Sequence, residues 1–412
     1  MKRMAFLLAT VSVLPAAAQS DTENAVEQAR AERQVDYQAV GISMGGFTFY
    51  PTLGVGAWNT SNVFRTAAGA EADTYLLLTP GFEVISDWSR HQLKISGGAD
   101  IRSYADLPSE DRTDWQAKID GRIDVTRPLR VMLSAGHEVR HEERGAPDAP
   151  GNAAEPTEFA ISAGEIRADY RSGRYGLKAE AVYNHFEWQP TRLNALPDRS
   201  NEDRDRDEIS GAATALYEFS PGYAAFVRGS VLERDYEQDT DRDGVNRDMA
   251  RVGADAGVEF ELTTLLVGEL TLGYRDYTFD DDVFEDISSV NYGAALRWYP
   301  TELTTLRLNI SRALEPSTLI GVSGVMTTSY QARVEHELMR NVQLEASAQI
   351  TREEFEGSAR NDDTTRLGFE ARYMMNRYAT LSANADYVER TSTFPSAAYE
   401  ETVFGVNAGL KF

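Results

Sequence analysis

From about residue 47 to the end, apolar and polar positions alternate with a period of two. The segments run for ten to fifteen residues and are separated by breaks. Trp115, Ala117, Ile119, Gly121, Ile123 and Val125 fall on one face of such a segment, and Gln116, Lys118, Asp120, Arg122 and Asp124 on the other. Val252, Ala254, Ala256, Val258 and Phe260 oppose Arg251, Gly253, Asp255, Gly257 and Glu259 in the same way. Leu367, Phe369, Ala371 and Tyr373 oppose Arg366, Gly368, Glu370 and Arg372. Successive side chains of a strand point to opposite faces, so these are β-strands with one apolar and one charged face.

Eighteen such strands are predicted, near 47–57, 73–86, 91–104, 113–126, 130–142, 158–171, 174–188, 207–219, 223–236, 249–262, 266–279, 287–299, 303–314, 325–338, 342–355, 364–376, 378–390 and 399–412. Their connections alternate in length. Thr126–Leu129, Arg171–Arg174, Ser220–Gly222 and Met339–Asn341 are short; 59–72, 144–157, 189–206, 237–248 and 315–324 are long. A soluble sandwich has no reason to sort loops by parity. A transmembrane antiparallel up-and-down β-barrel does, with short periplasmic turns and long extracellular loops. Each strand exceeds the roughly 9–11 residues that a tilted spanning strand needs.

The last nine residues, Phe404 to Phe412, alternate to the end of the chain and finish on an aromatic. Such a strand suits the closing position of a membrane barrel, with Phe412 as its assembly signal. Tyr104, Trp188, Tyr236, Tyr277, Trp298, Tyr299, Phe355 and Tyr387 cluster toward strand ends, where rings suit the membrane interfaces; ordinary strand propensity explains them equally well.

The N-terminus adds export. Lys2 and Arg3, an apolar stretch from Phe6 to Leu14, and Ala16-Ala17-Ala18 form the pattern of a secretory signal peptide over residues 1–18. Its apolar part is shorter than the roughly 20 residues of a spanning helix. Residues 19–44 are rich in Glu, Gln, Ala and Arg without alternation and read as a periplasmic segment, helical or disordered; 45–412 is the barrel. The expected location is the outer membrane of a Gram-negative cell. The chain has no cysteine and a net charge of −24. Loss of Lys2 and Arg3 takes this to −26, a balance that excludes nucleic acid as a partner and suits solvated loops.

If the apolar face meets lipid, the other lines a lumen that side chains alone do not fill in a barrel of this size. The lumen-facing candidates are Lys94, Arg102, Lys118, Asp120, Arg122, Asp124, Arg167, Arg251, Asp255, Glu259, Arg333, Glu335, Arg366, Glu370 and Arg372. Their mixed signs suit a salt-bridged wet wall or a polar track for a hydroxyl-rich substrate. No segment reads as a plug domain. A long loop such as 189–206 has the length to fold inward and constrict the pore. Asp239, Asp241 and Asp243, followed by Gly244, match the start of a calcium loop, but position twelve is Ala250 where a closing Glu is required. His137 and His141 share one side of a strand about 13 Å apart, too far to share a metal. No G-x-S-x-G motif is present, so no catalytic residue and no cofactor are assigned.

Tyr50-Pro51-Thr52-Leu53-Gly54-Val55, Thr60-Ser61-Asn62-Val63, Leu78-Thr79-Pro80-Gly81-Phe82, Asn246-Arg247-Asp248, Leu272-Gly273-Tyr274-Arg275, Leu296-Arg297-Trp298-Tyr299-Pro300-Thr301 and His336-Glu337-Leu338-Met339-Arg340-Asn341 follow one another in an order that resembles the putative β-barrel porin 2 family. Members often belong to exopolysaccharide synthesis and secretion systems. The resemblance implies a barrel that passes or guides a surface polysaccharide through the outer membrane. It implies polysaccharide-secretion proteins as partners, beside membrane lipid, lipopolysaccharide and the barrel assembly machinery. A general or solute-selective porin, and a barrel-anchored surface enzyme or adhesin, are the other classes. A conduit changes secreted polysaccharide when deleted; a porin changes small-solute uptake.

Overall fold

The structure is a computed structural model that describes residues 32–263 and 265–412. The signal peptide and the first part of the 19–44 segment lie outside the described residues. Among the described ones, a short strand β1 (Ile42–Ser43) precedes eighteen long strands. These are β2 (Phe47–Thr60), β3 (Asp73–Ser86), β4 (Gln92–Tyr104), β5 (Arg112–Asp124), β6 (Leu129–His141), β7 (Glu158–Ser172), β8 (Tyr175–Trp188), β9 (Arg206–Ser220) and β10 (Tyr223–Tyr236). They continue as β11 (Met249–Thr263), β12 (Leu266–Phe279), β13 (Ile287–Thr301), β14 (Thr304–Glu315), β15 (Gly324–Met339), β16 (Val342–Glu356), β17 (Asn361–Met374), β18 (Ala379–Ser392) and β19 (Tyr399–Lys411).

Each strand pairs antiparallel with its sequence neighbours, and β19 returns to β2. The closing register runs from Lys411 opposite Thr52 to Val403 opposite Thr60. The sheet is thus a closed antiparallel eighteen-strand barrel, and the predicted strands match it within three residues at each boundary. Closure removes the free edge, so the strands satisfy one another's backbone groups without water.

Alternation decides which residues face out. Leu53, Val55, Leu76, Leu78, Ile119, Val227, Leu272, Phe369, Phe404 and Val406 are all exposed on the outer surface. A fold that leaves so many large apolar side chains uncovered needs an apolar solvent around it. The strand-end aromatics divide by parity. Trp298 is exposed, whereas Trp188, Tyr277, Tyr299 and Phe355 are buried and contribute nothing to an interfacial girdle. The aromatics that do face outward at the short-turn end include Tyr175, Tyr217, Phe219, Tyr373, Tyr378 and Phe412.

Short connections of two to five residues lie at one end, and connections of four to seventeen residues at the other. The exception to the length rule is 357–360, four residues at the long-loop end. Before β1 the chain crosses the short-turn opening. Arg33 pairs with Glu302 and Glu337 at 3.3 Å, and Gln343 Nε2 donates to Gln34 Oε1 at 3.2 Å. These partners sit on β15, β16 and the β13–β14 turn, whereas β1 joins β2. A 3-10 turn at Val35–Tyr37 lies between them.

Phe412 packs its ring 5.8 Å from that of Tyr378, and its amide donates to Pro51 O at 3.2 Å, just past the closing ladder. Replacing Phe412 by Ser is expected to lower the amount of protein in the outer membrane severalfold while synthesis and export persist. Cell fractionation with heat-modifiable mobility measures this; unchanged membrane levels would show that the residue carries no assembly signal.

Candidate functional site: the loop-bridged mouth

The connection 142–157 cannot continue a strand. It contains Pro147, Pro150 and Pro156, which lack an amide donor, and Gly145 at φ +76. It folds instead as successive tight turns, with Ala146 N donating to Glu143 O, Ala149 N to Ala146 O and Ala153 N to Pro150 O. This compact segment reaches across the mouth of the barrel. It leaves from β6 and β7, yet the Gly145 carbonyl accepts from Arg390 Nη1 on β18. A Cβ at Gly145 would sit 3.2 Å from Arg65 Cβ and 3.4 Å from the Tyr399 ring, so only glycine fits here. Farther along, Asp148 Oδ1 accepts from Ser317 Oγ at 2.9 Å in the loop between β14 and β15.

Arginines join the loops to one another. Arg144 forms a bidentate pair with Glu110, which is fully buried, and donates to Ala153 O at 2.8 Å. Arg204 pairs with Glu142 at 2.7 Å and lies 3.3 Å over the Trp188 ring. Arg242 pairs with Asp203 at 2.6 Å. Arg247 pairs with Asp241 and donates to the carbonyls of Ser317, Val322 and Leu319. Arg199 donates to Asp148 O at 3.3 Å. Planar guanidinium groups satisfy several acceptors at once, which suits the joining of loops whose carbonyls lack ladder partners. Loop 189–205, expected from its length to constrict the pore, packs along 142–157, with Ala154 N donating to Arg192 O and Asn194 N to Asn152 O, and 142–157 reaches across to β18.

Below the mouth the lumen-facing candidates occupy the face opposite the exposed apolar residues. Many are neutralised two residues away on their own strand: Lys118 with Asp120 at 2.9 Å, Arg122 with Asp124 at 3.5 Å, Arg167 with Asp169 at 3.6 Å, and Arg372 with Glu370 at 2.8 Å. Others pair across strands: Lys94 with Glu83 at 2.6 Å, Arg333 with Glu345 at 3.4 Å, Glu335 with Arg307, Asp255 with Arg275 at 2.8 Å, and Glu259 with Lys178 at 2.9 Å. Among the described residues, Arg102, Arg251 and Arg366 form no ion pair within 4.0 Å. An inward aromatic row also lies near the mouth. Trp58 stacks on Tyr75 with centroids 6.3 Å apart, and Tyr75 meets Tyr104 at 4.9 Å with the rings tilted by 35°. The Trp58 ring lies flat over Gly405, where a Cβ would come within 2.3 Å of it, and Trp58 Nε1 donates to Asn407 Oδ1 at 2.9 Å.

The calcium candidate is not assembled. Asp241 Oδ1 accepts from the amides of Asp243 and Val245, and its other oxygen from Arg247, so a guanidinium stands where a cation would. No group of three potential metal ligands, Asp239 and Asp243 included, converges among the described residues. His137 and His141 part company as expected: His137 meets Ser162 at 2.9 Å, and His141 meets Asp114 at 2.9 Å. Glu143, Arg144, Gly145, Arg65, Tyr75 and Arg112 went unremarked in the sequence. Its one pointer was a Pro- and Gly-rich stretch opening on Glu-Glu-Arg-Gly, which says nothing of the wall it meets.

Burial raises the Asp205 carboxyl to about 6, against the Trp188 amide that lowers it, while Glu237, Glu187 and Glu202 add to the rise. An acid whose folded pKa exceeds its unfolded value near ~4 contributes stability that is complete below the unfolded value. That contribution is lost as pH rises through the folded one. Amides of loop 189–205, with each rate divided by the intrinsic base-catalysed rate at that pH, are therefore expected to be more protected at about pH 5 than at about pH 7.5, and Asp205→Asn to abolish that difference in protection. Separately, Arg144→Ala leaves Glu110 buried without a countercharge, a cost of about 3–5 kcal/mol. Loop 142–157 is then expected to detach, which added protease reads as rapid cleavage within it.

The putative beta-barrel porin 2 family matches residues 34–412. No curated protein matches the chain. Among solved structures, the chain is similar to Pseudomonas aeruginosa OpdO, at 12% identity over 88% of this chain and 97% of that one, with a TM-score of 0.45. It is also similar to the Pseudomonas aeruginosa outer membrane proteins OpdK (10% identity, 88% and 99% covered, TM-score 0.46) and OprD (11% identity, 92% and 96% covered, TM-score 0.44).

Proposed function

Because the chain belongs to the putative beta-barrel porin 2 family, an outer-membrane barrel of porin type, we propose that its channel passes a hydroxyl-rich saccharide chain. The observation that carries this reading is the inward row of Trp58, Tyr75 and Tyr104 beside charged neighbours. A sugar offers apolar C–H faces and a rim of hydroxyls. Aromatic rings meet the faces, and charged groups exchange hydrogen bonds with the rim. Tyr75 and Tyr104 are half-buried and present their rings; Trp58 is buried behind them.

In this reading the long loops face outside and both ends of the barrel domain face the periplasm. A barrel has no energy source, so partner proteins that make the polysaccharide supply the drive for export. Lipopolysaccharide surrounds the outer leaflet, and the barrel assembly machinery inserts the chain. The loops bridging the mouth favour a narrow, selective passage over a wide one.

Maltohexaose is expected to block single-channel current of the full-length protein in planar bilayers. Tyr104→Ala is expected to weaken that block about fivefold, on the order of the loss of one aromatic partner, without altering basal conductance. A wild-type current indifferent to maltohexaose would remove the saccharide track. A deletion strain scored for cell-bound and released polysaccharide tests export: unchanged polysaccharide with altered small-solute uptake would replace a conduit by a solute porin.

A further inference from the structure

Charge on the inner wall is not evenly neutralised. Elsewhere on the wall many cations find an anion two residues away, as on β5, β7 and β17, or across the ladder. Near the mouth that pattern breaks. Arg102 of β4 and Arg112 of β5 are Cα partners across the ladder, and among the described residues neither forms an ion pair within 4.0 Å. Like charges set directly opposite destabilise a sheet. Asp100 and Asp114 occupy a nearby register step, but one oxygen of Asp114 already takes the amide and ring nitrogen of His141. Arg366 on β17 also lacks an ion pair.

A carboxylate of the bridging loop, Glu143, lies within electrostatic reach of Arg112 and Arg366. Glu143 pairs with Arg65. Arg65 holds the Glu143 carboxyl well below the usual carboxylate range, with Arg366 and Arg112 adding to the pull. Two features make Glu143 a removable occupant. Arg65 keeps a second counter-ion, Glu401, at 2.8 Å, and that carboxylate is 8% exposed while the Glu143 side chain is 49% exposed. The other anchors of the loop, Arg144 to Glu110 and Asp148 to Ser317, do not involve Glu143, so its carboxylate can leave without releasing the loop.

We propose that Glu143 occupies a site for a carboxylate of the permeating molecule, so that an anionic saccharide competes with the protein's own loop for Arg65, Arg112 and Arg366. The inference rests on the saccharide reading above and narrows it to acidic sugars. An internal carboxylate at high effective concentration weakens binding of any solute that must displace it from these guanidinium groups, and leaves a neutral solute that does not bind them unaffected.

The test uses the full-length protein in planar bilayers, with hexagalacturonate as the acidic probe and maltohexaose as the neutral one. Glu143→Gln is expected to strengthen hexagalacturonate block about tenfold, leave maltohexaose block unchanged, and shift the reversal potential in a salt gradient toward anion selectivity. Arg112→Gln in the Glu143→Gln background is expected to reverse the gain. Hydrogen exchange supplies a readout independent of current: hexagalacturonate should speed exchange of the Glu143–Ala146 turn in the wild type. Unchanged block and unchanged reversal potential in Glu143→Gln would overturn the proposal. If maltohexaose fails to block but hexagalacturonate responds to Glu143→Gln, the neutral-track reading falls and the carboxylate site stands. If the wild type conducts no ions and its exchange is unmoved by hexagalacturonate, both fall.

Discussion

Everything in this fold follows from one constraint: in hydrocarbon, each backbone amide and carbonyl must find its partner in the sheet. A free edge would leave a row of them unpaired, at a cost of several kcal/mol each. The β19–β2 seam removes that edge. Closure in turn fixes an inside and an outside, and the period-two geometry of a strand then assigns every residue to one or the other. The apolar half of each strand goes to lipid. The charged half has nowhere to go but the lumen, so the polar interior is a consequence of closure rather than a separate design.

The protein handles those interior charges in two ways. On the wall, opposite charges two residues apart neutralise one another along a strand, as in Lys118–Asp120 and Arg167–Asp169. In the mouth, arginines from different loops each hold a carboxylate and, in several cases, backbone carbonyls, as Arg144 and Arg247 do. Small apolar clusters such as Leu319, Val322 and Phe355 lie between the loops, and directional charge-assisted bonds join one loop to the next. Where the two systems meet, Arg112 and Arg366 of the wall lack an ion pair among the described residues, and the loop brings Glu143 toward them.

Strand positions were legible from the chain because alternation is a local property. Leu367 to Tyr373 announce their two faces without reference to any partner. The terminal strand to Phe412 was legible for the same reason. The crossing of residues 142–157 was not. Its prolines and glycines forbid a strand, but nothing local says that Gly145 meets Arg390 some two hundred and forty-five positions later. Loop length alone favoured 189–206, whose aspartates and arginines instead fasten it to its neighbours. The aromatic residues divide along the same line. Trp188 and Trp298 look alike at strand ends, and only their parity in the closed sheet sends one inward and the other outward.

By itself, then, the sequence determined the strand number, the alternation of turn and loop, and the charge character of each strand face. All of these arise from contacts between residues a few positions apart. The tertiary structure decided which loop bridges the mouth and which carboxylate faces Arg112 and Arg366. Those outcomes depend on which strands closure brings face to face across the lumen. That distance in space has no counterpart in sequence separation.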